Sequence, residues 1–228
     1  VIYGGVKGAR DAIAALRAFR DMLAGHGKSR FDVTVKWDGA PAVFAGIDPS
    51  DGKFFVAKKG IFNKDPKVYK SEADVRADTS GDLADKLTIA YNELKGLGIK
   101  DVIQGDIMFT KNDLNVENID GEKYVTFQPN TIVYAVPVKS NLAKSIKKAN
   151  LGVVFHTTYK GKTFEDMKAS YGIDIGKLKK KSSIWYQDAD YRDQSGTATL
   201  TDTETKRVTA ALSKAGKIFQ KIAGTTLR

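Results

Sequence analysis

The run Lys36-Trp37-Asp38-Gly39 puts an amine, a carboxylate and a flexible backbone position within four residues. A lysine amine attacks a nucleoside triphosphate only as the free base. Its ordinary pKa of about 10.4 must first be depressed by burial or neighbouring cations. The end of a buried strand would supply that burial. Asp38 would orient an amine, a metal or a ribose hydroxyl, and Gly39 would let the chain turn tightly beside a ligand. The same four residues are also compatible with a plain strand ending in a turn.

Other residues able to do chemistry are few. Cysteine is absent, which excludes disulfides, thiolate metal sites and cysteine nucleophiles and suits a reducing, cytoplasmic setting. The two histidines are His26, in a glycine-flanked loop where a structural role is expected, and His156, at the end of an apolar strand. Lysines cluster at Lys58-Lys59, at Lys64, Lys67 and Lys70, at Lys144, Lys147 and Lys148, and at Lys177 to Lys181. With 37 Lys plus Arg against 27 Asp plus Glu, the formal charge is +10. A polyanionic partner follows, nucleic acid first, held through phosphates more than base edges. No run of about 18 apolar residues is present, so no membrane-spanning helix is expected.

The elements that must position these residues can be read from periodicity. Ala12, Ile13, Leu16, Phe19 and Leu23 predict a helix from Ala9 to Leu23, closed by Gly25 and Gly27. Strands are predicted over Phe31–Val35, Ala42–Ile47, Phe54–Ala57, Asp101–Met108, Tyr124–Phe127, Thr131–Val136 and Gly152–Thr157. Helices are predicted from Ser80 to about Leu97, after Ser140, over Thr163–Tyr171, and from about Thr203 to Ile222. Short turns between strands argue for an α+β fold with largely antiparallel sheets. The polar stretch after Lys181 reads as a lid or appendage.

Several of these segments together resemble the superfamily of ATP-dependent DNA ligases, RNA ligases and messenger-RNA capping enzymes. Lys36-Trp37-Asp38-Gly39 is similar to its first motif, whose lysine forms a phosphoramidate with the nucleoside monophosphate. Val56-Ala57-Lys58-Lys59-Gly60 resembles its basic-plus-glycine strand, and Val102 to Ile107 its third motif, with Asp106 where glutamate is usual. Thr131 to Val136 resembles the aromatic strand over the base, and Leu151 to His156 the fourth motif. Lys179-Lys180-Lys181 resembles the basic pair of the last motif. The chain departs from the pattern at Pro41, where an arginine is frequent, and at Leu151, where a metal-binding glutamate is expected.

The resemblance implies a ligase-type nucleotidyltransferase (adenylation) domain over residues 1–181. It also implies a C-terminal helical appendage or lid of the same domain over 182–228. The roughly forty to fifty residues after Lys181 are too few for a five-stranded oligonucleotide-binding (OB) barrel. Lys36 and Asp38 would be catalytic. Gly39, Lys58, Lys59, Asp106, Tyr134, His156, Lys179 and Lys181 would bind nucleotide, with Asp106 also holding metal. ATP and Mg2+ would be the cofactors, nucleic-acid ends the partner, and lysyl-AMP at Lys36 the intermediate. Tyr134 would stack on adenine or pack as a core aromatic, and Trp37 would pack. The alternatives are a ligase-fold protein that binds nucleotide or nucleic acid without sealing, and a capping-type guanylyltransferase.

Overall fold

The computed structural model describes residues 4–25, 34–190 and 200–222. It divides into two units. The larger runs from Thr34 to Asp190 and the smaller joins the two ends of the chain. His26 and Val33, with most of the strand expected over Phe31–Val35, lie outside the described residues.

In the larger unit, strands β1 (Ala42–Ile47), β2 (Phe54–Ala57), β3 (Val102–Thr110), β7 (Leu151–Lys160), β8 (Lys168–Tyr171) and β9 (Ile184–Asp188) form one sheet. Its order is β2-β1-β3-β7-β8, with antiparallel neighbours. Strand β9 is the exception and runs parallel to β7 over Leu151–Phe155. A second, antiparallel sheet holds β4 (Asn115–Ile119), β5 (Glu122–Phe127) and β6 (Tyr134–Pro137). This is an α+β architecture with antiparallel sheets and flanking helices.

Alternation along the strands makes both faces of the large sheet apolar. Val43, Ala45, Val56, Ile103, Ile107, Val153 and Phe155 face helix α3 (Gly81–Leu94), whose Leu87, Ala90 and Leu94 are fully buried against them. Truncating Leu87 to alanine would cost about 2–5 kcal/mol. Helix α2 (Glu72–Asp78), capped by Ser71, adds Val75 to this core. The opposite face carries two separate clusters. One joins Met108, Phe109 and Val154 to β5 and to Ile146 of helix α4 (Asn141–Lys148). The other gathers Phe44, Phe55, Ala57 and Ile61.

Three expectations are corrected here. Thr163–Tyr171 is expected as a short helix. The segment instead ends in β8, since Thr157–Lys160 of β7 offers Lys168–Tyr171 a free edge. The polar residues that follow the Asp101–Met108 strand read as a loop in the sequence. They hold β4, whose side chains are all exposed and so carry no alternation. The segment after Lys181 is not a single appendage: Ile184–Asp188 is a sheet strand, whereas the last helix lies in the other unit.

That smaller unit contains helices α1 (Gly5–Leu23) and α5 (Asp202–Lys221), the latter closed by a Thr201–Glu204 capping box. Leu23 meets Leu200 at one end, while Ala9 and Ile13 lie by Phe219 and Ile222 at the other, so the helices run antiparallel. Arg20 donates to Thr209 across the pair at 3.2 Å. No described helix is long and apolar enough to cross a membrane.

Candidate functional site

Between the two apolar clusters on the face away from α3, the large sheet turns polar. Gln104 and Asp106 alternate along β3, opposite Phe44 and Ala42 of β1. Next to them the β3–β7 register shifts: Gln104 pairs with Thr157 and Gly105 with Phe155, leaving His156 as the extra residue. Such a bulge re-aims a side chain, and here it places His156 Nε2 3.7 Å from Asp106 Oδ2. The other ring nitrogen shares a 2.7 Å hydrogen bond with Thr157 Oγ1, which fixes the ring.

The segment carrying Lys36 is laid over this strip by backbone contacts. Val35 N–H donates to Ala189 O, Ala40 N–H to Ile107 O, and Ile107 N–H to Pro41 O. Gly39 lies so close to β3 that a Cβ there would sit 2.5 Å from the Cβ of Asp106 and 3.1 Å from Ile107 O. Glycine is therefore needed for a close approach between two chain segments, and the thing approached is Asp106.

Asp106 is the electrostatic centre of the strip. Burial pushes its carboxyl above the usual carboxylate range, against the opposing pull of His156, Lys36 and Lys59. Among the described residues no donor hydrogen-bonds to it. It is thus a half-buried acid with free lone pairs, beside an imidazole and within electrostatic reach of two lysines. Lys36, Gly39, Lys59, Asp106 and His156 are thus neighbours drawn from four separate places in the sequence.

Other expected site residues do different work. Lys36 itself is exposed, on an extended segment rather than the end of a buried strand, because only Thr34 makes a bridge, to Asp190. The buried position expected for its amine is therefore not found. The Asp38 carboxylate is committed to a loop. Oδ1 accepts from Asn130 Nδ2 at 2.9 Å, and Oδ2 from Thr131 N, Thr131 Oγ1 and Ile132 N at 2.7, 2.7 and 2.9 Å. The Thr131 hydroxyl, the two backbone N–H groups and Asn130 hold it well below the usual range. It clamps the loop that leads into β6 and has little capacity left for a metal or a ribose.

Tyr134 belongs to an aromatic stack, 5.5 Å from Trp37 and 5.3 Å from Phe127, and its hydroxyl accepts from Asp38 N–H at 2.9 Å. These contacts are those of the packing half of the expectation for Tyr134. Lys58 is turned from the strip to Asp78, at 3.2 Å, where Lys67 and the Tyr69 hydroxyl also converge. Lys179 and Lys181 lie on the α3 side of the sheet. Lys179 N–H donates to Leu97 O, its side chain covers Gly98, and Lys181 Nζ pairs with Glu93 at 2.7 Å. The intervening sheet separates them from Asp106. Leu151, at the position where a metal-binding glutamate was expected, is fully buried in the α3-side core.

Sequence reasoning missed Gln104 and Tyr159. The Tyr159 hydroxyl donates to Gln104 Oε1 at 2.7 Å, extending the polar strip beyond Asp106. A signal was present: Gln104 and Asp106 are polar at alternate positions of an otherwise apolar strand.

No curated protein and no solved structure matches this chain. One family model does, over residues 1–227, under the description "Family of unknown function (DUF6267)". The chain is therefore a member of the DUF6267 family of unknown function.

Proposed function

We propose that this chain is an ATP-dependent polynucleotide ligase-like adenylyltransferase with a ligase-type nucleotidyltransferase fold, acting on nucleic-acid ends. The observation that carries the reading is Gly39 pressed against Asp106 with His156 3.7 Å from its carboxylate, and Lys36 and Lys59 within electrostatic reach. Lys36 Nζ, as the free amine, attacks the α-phosphorus of ATP. A P–N bond forms as the bond to pyrophosphate breaks, and the amine proton passes to solvent or to Asp106. Lys59 offsets charge on the triphosphate. The +10 net charge supports a polyanionic second substrate.

The donor set limits how Mg2+ would be held. Among the described residues no group of three or more His, Cys, Asp or Glu side chains could hold a metal. Mg2+ is commonly bound through one or two carboxylates plus substrate phosphates, which Asp106 with its free lone pairs fits as a single protein anchor. Bound there, the ion would neutralise the triphosphate as pyrophosphate leaves.

A second reading is favoured by particular residues. Leu151 cannot ligand a cation, and Lys36 is exposed. A ligase-fold protein that binds nucleotide or nucleic acid without sealing is consistent with both. Incubation with Mg2+ and α-labelled ATP, followed by a denaturing gel, separates the two. Label on the wild type and none on Lys36→Ala supports adenylation. No label on a folded, pyrophosphate-free preparation with ATP or GTP leaves the binding protein.

A further inference from the structure

A groove of about 810 Å³ opens beside the polar strip, between the segments around Phe62–Pro66 and Lys162–Ala169. Its floor is aromatic. Phe62 stands 42% exposed, with its ring 4.9 Å from Tyr159 and edge-on to Phe44 at 5.5 Å, while Phe164 packs on Phe55 below. An exposed phenylalanine held against a second ring presents a fixed apolar surface to solvent at the cost of hydration. Lys64 and Lys162 line the same groove, and among the described residues neither makes an ion pair. Of the two lining carboxylates, Asp48 is neutralised by Lys70 at 2.7 Å, which leaves Glu165 as the opposing charge.

The groove is joined to the Asp106 strip at two points. Tyr159, in its wall, is bonded to Gln104, two residues from Asp106 on the same face of β3. Lys59, beside Asp106, and Phe62, in the groove, open and close one 3-10 turn, Lys59–Phe62. At about 2 Å rise per residue their backbones lie on the order of 6 Å apart along the turn.

We infer that this groove binds single-stranded nucleic acid, stacking a base on Phe62 and holding the flanking phosphates with Lys64 and Lys162. Aromatic faces interleaved with unpaired lysines are the chemistry that holds single strands without reading sequence. A duplex keeps its bases stacked on one another and cannot use the Phe62 face. The strand then runs toward Lys59 and Asp106. What it is held for rests on the ligase-like reading, but whether it binds does not.

The test is fluorescence anisotropy of a labelled single strand of about a dozen nucleotides, in DNA and RNA forms, without ATP. Because the adenylation assay contains no polynucleotide and this one contains no ATP, failure of either claim is seen separately. Phe62→Ala should weaken binding roughly 5- to 100-fold, and Phe62→Trp should restore it. Lys64→Ala with Lys162→Ala should flatten the salt dependence of log K by about 1.4, two single-strand phosphate contacts. Binding unchanged in Phe62→Ala, or a blunt duplex of the same sequence bound as tightly as the single strand, would overturn the inference. So would Phe62→Trp binding no better than Phe62→Ala while both melt like the wild type.

Discussion

Asp38 and Asp106 lie on either side of Gly39, one in the Lys36 segment and one on the strand beneath it, and their surroundings are opposite. Asp38 accepts four hydrogen bonds from Asn130, Thr131 and Ile132, and its pKa is drawn down. Asp106 accepts none among the described residues, is more deeply buried, and its pKa is pushed up. A carboxylate whose lone pairs are filled by its own fold is spent on structure. One held half-buried with no hydrogen-bond donor is a cost that the fold carries and that a ligand can relieve. The aspartate left open to a ligand is therefore not Asp38, two residues from Lys36 in sequence, but the one reached through Gly39.

The largest expected effect separates the two acids by activity. Asp106→Asn should lower ATP-dependent labelling about a hundredfold or more, with the protein still folded by circular dichroism. If labelling survives, the Asp106 side of the contrast fails. Next comes the spacer between them. Gly39→Ala should cost about 1–3 kcal/mol in urea unfolding, because the new methyl meets the Asp106 Cβ and a backbone carbonyl. A neutral result would mean that the Lys36 segment is free to lift from β3.

A smaller effect sharpens the structural role of the Asp38 region. Tyr134→Phe removes the acceptor for Asp38 N–H and should cost about 0.5–1.5 kcal/mol while leaving nucleotide affinity unchanged. Loss of nucleotide binding in that variant would return Tyr134 to the base-stacking role. The subtlest test is pH. The Asp106 contribution to stability is present below the unfolded carboxylate pKa and lost as pH rises through its raised folded value. The Asp38 contribution is present above the unfolded value and lost as pH falls through its depressed one. Thermal melts should therefore show Asp106→Asn gaining on the wild type from acid to neutral pH, and Asp38→Asn losing.

Local patterning made much of the fold legible. Short apolar runs on either side of the Pro49–Gly52 turn place β1 and β2 at their observed bounds, and Ser140 and Ser80 mark two helix starts. Strands β4 and β8 were not legible because exposed strands have no burial pattern to display. The site was legible as a set of residue types and less so as geometry. Lys58 and Lys59 are adjacent and identical in sequence, and only packing shows that Asp78 takes the first while the second stays exposed, within electrostatic reach of Asp106. The partners of Asp38 lie more than ninety residues away, so its structural role has no local signal. The bulge that turns His156 toward Asp106 depends on the registry of two distant strands.

The central claim is that Lys36 is the nucleophile in a site organised by Asp106. Mass spectrometry of a digest made after incubation with ATP and Mg2+ tests it most directly. One AMP adduct is expected, on the peptide containing Lys36, absent from Lys36→Ala and strongly reduced in Asp106→Asn. An adduct on another lysine, or none on a folded protein freed of pyrophosphate, would contradict it.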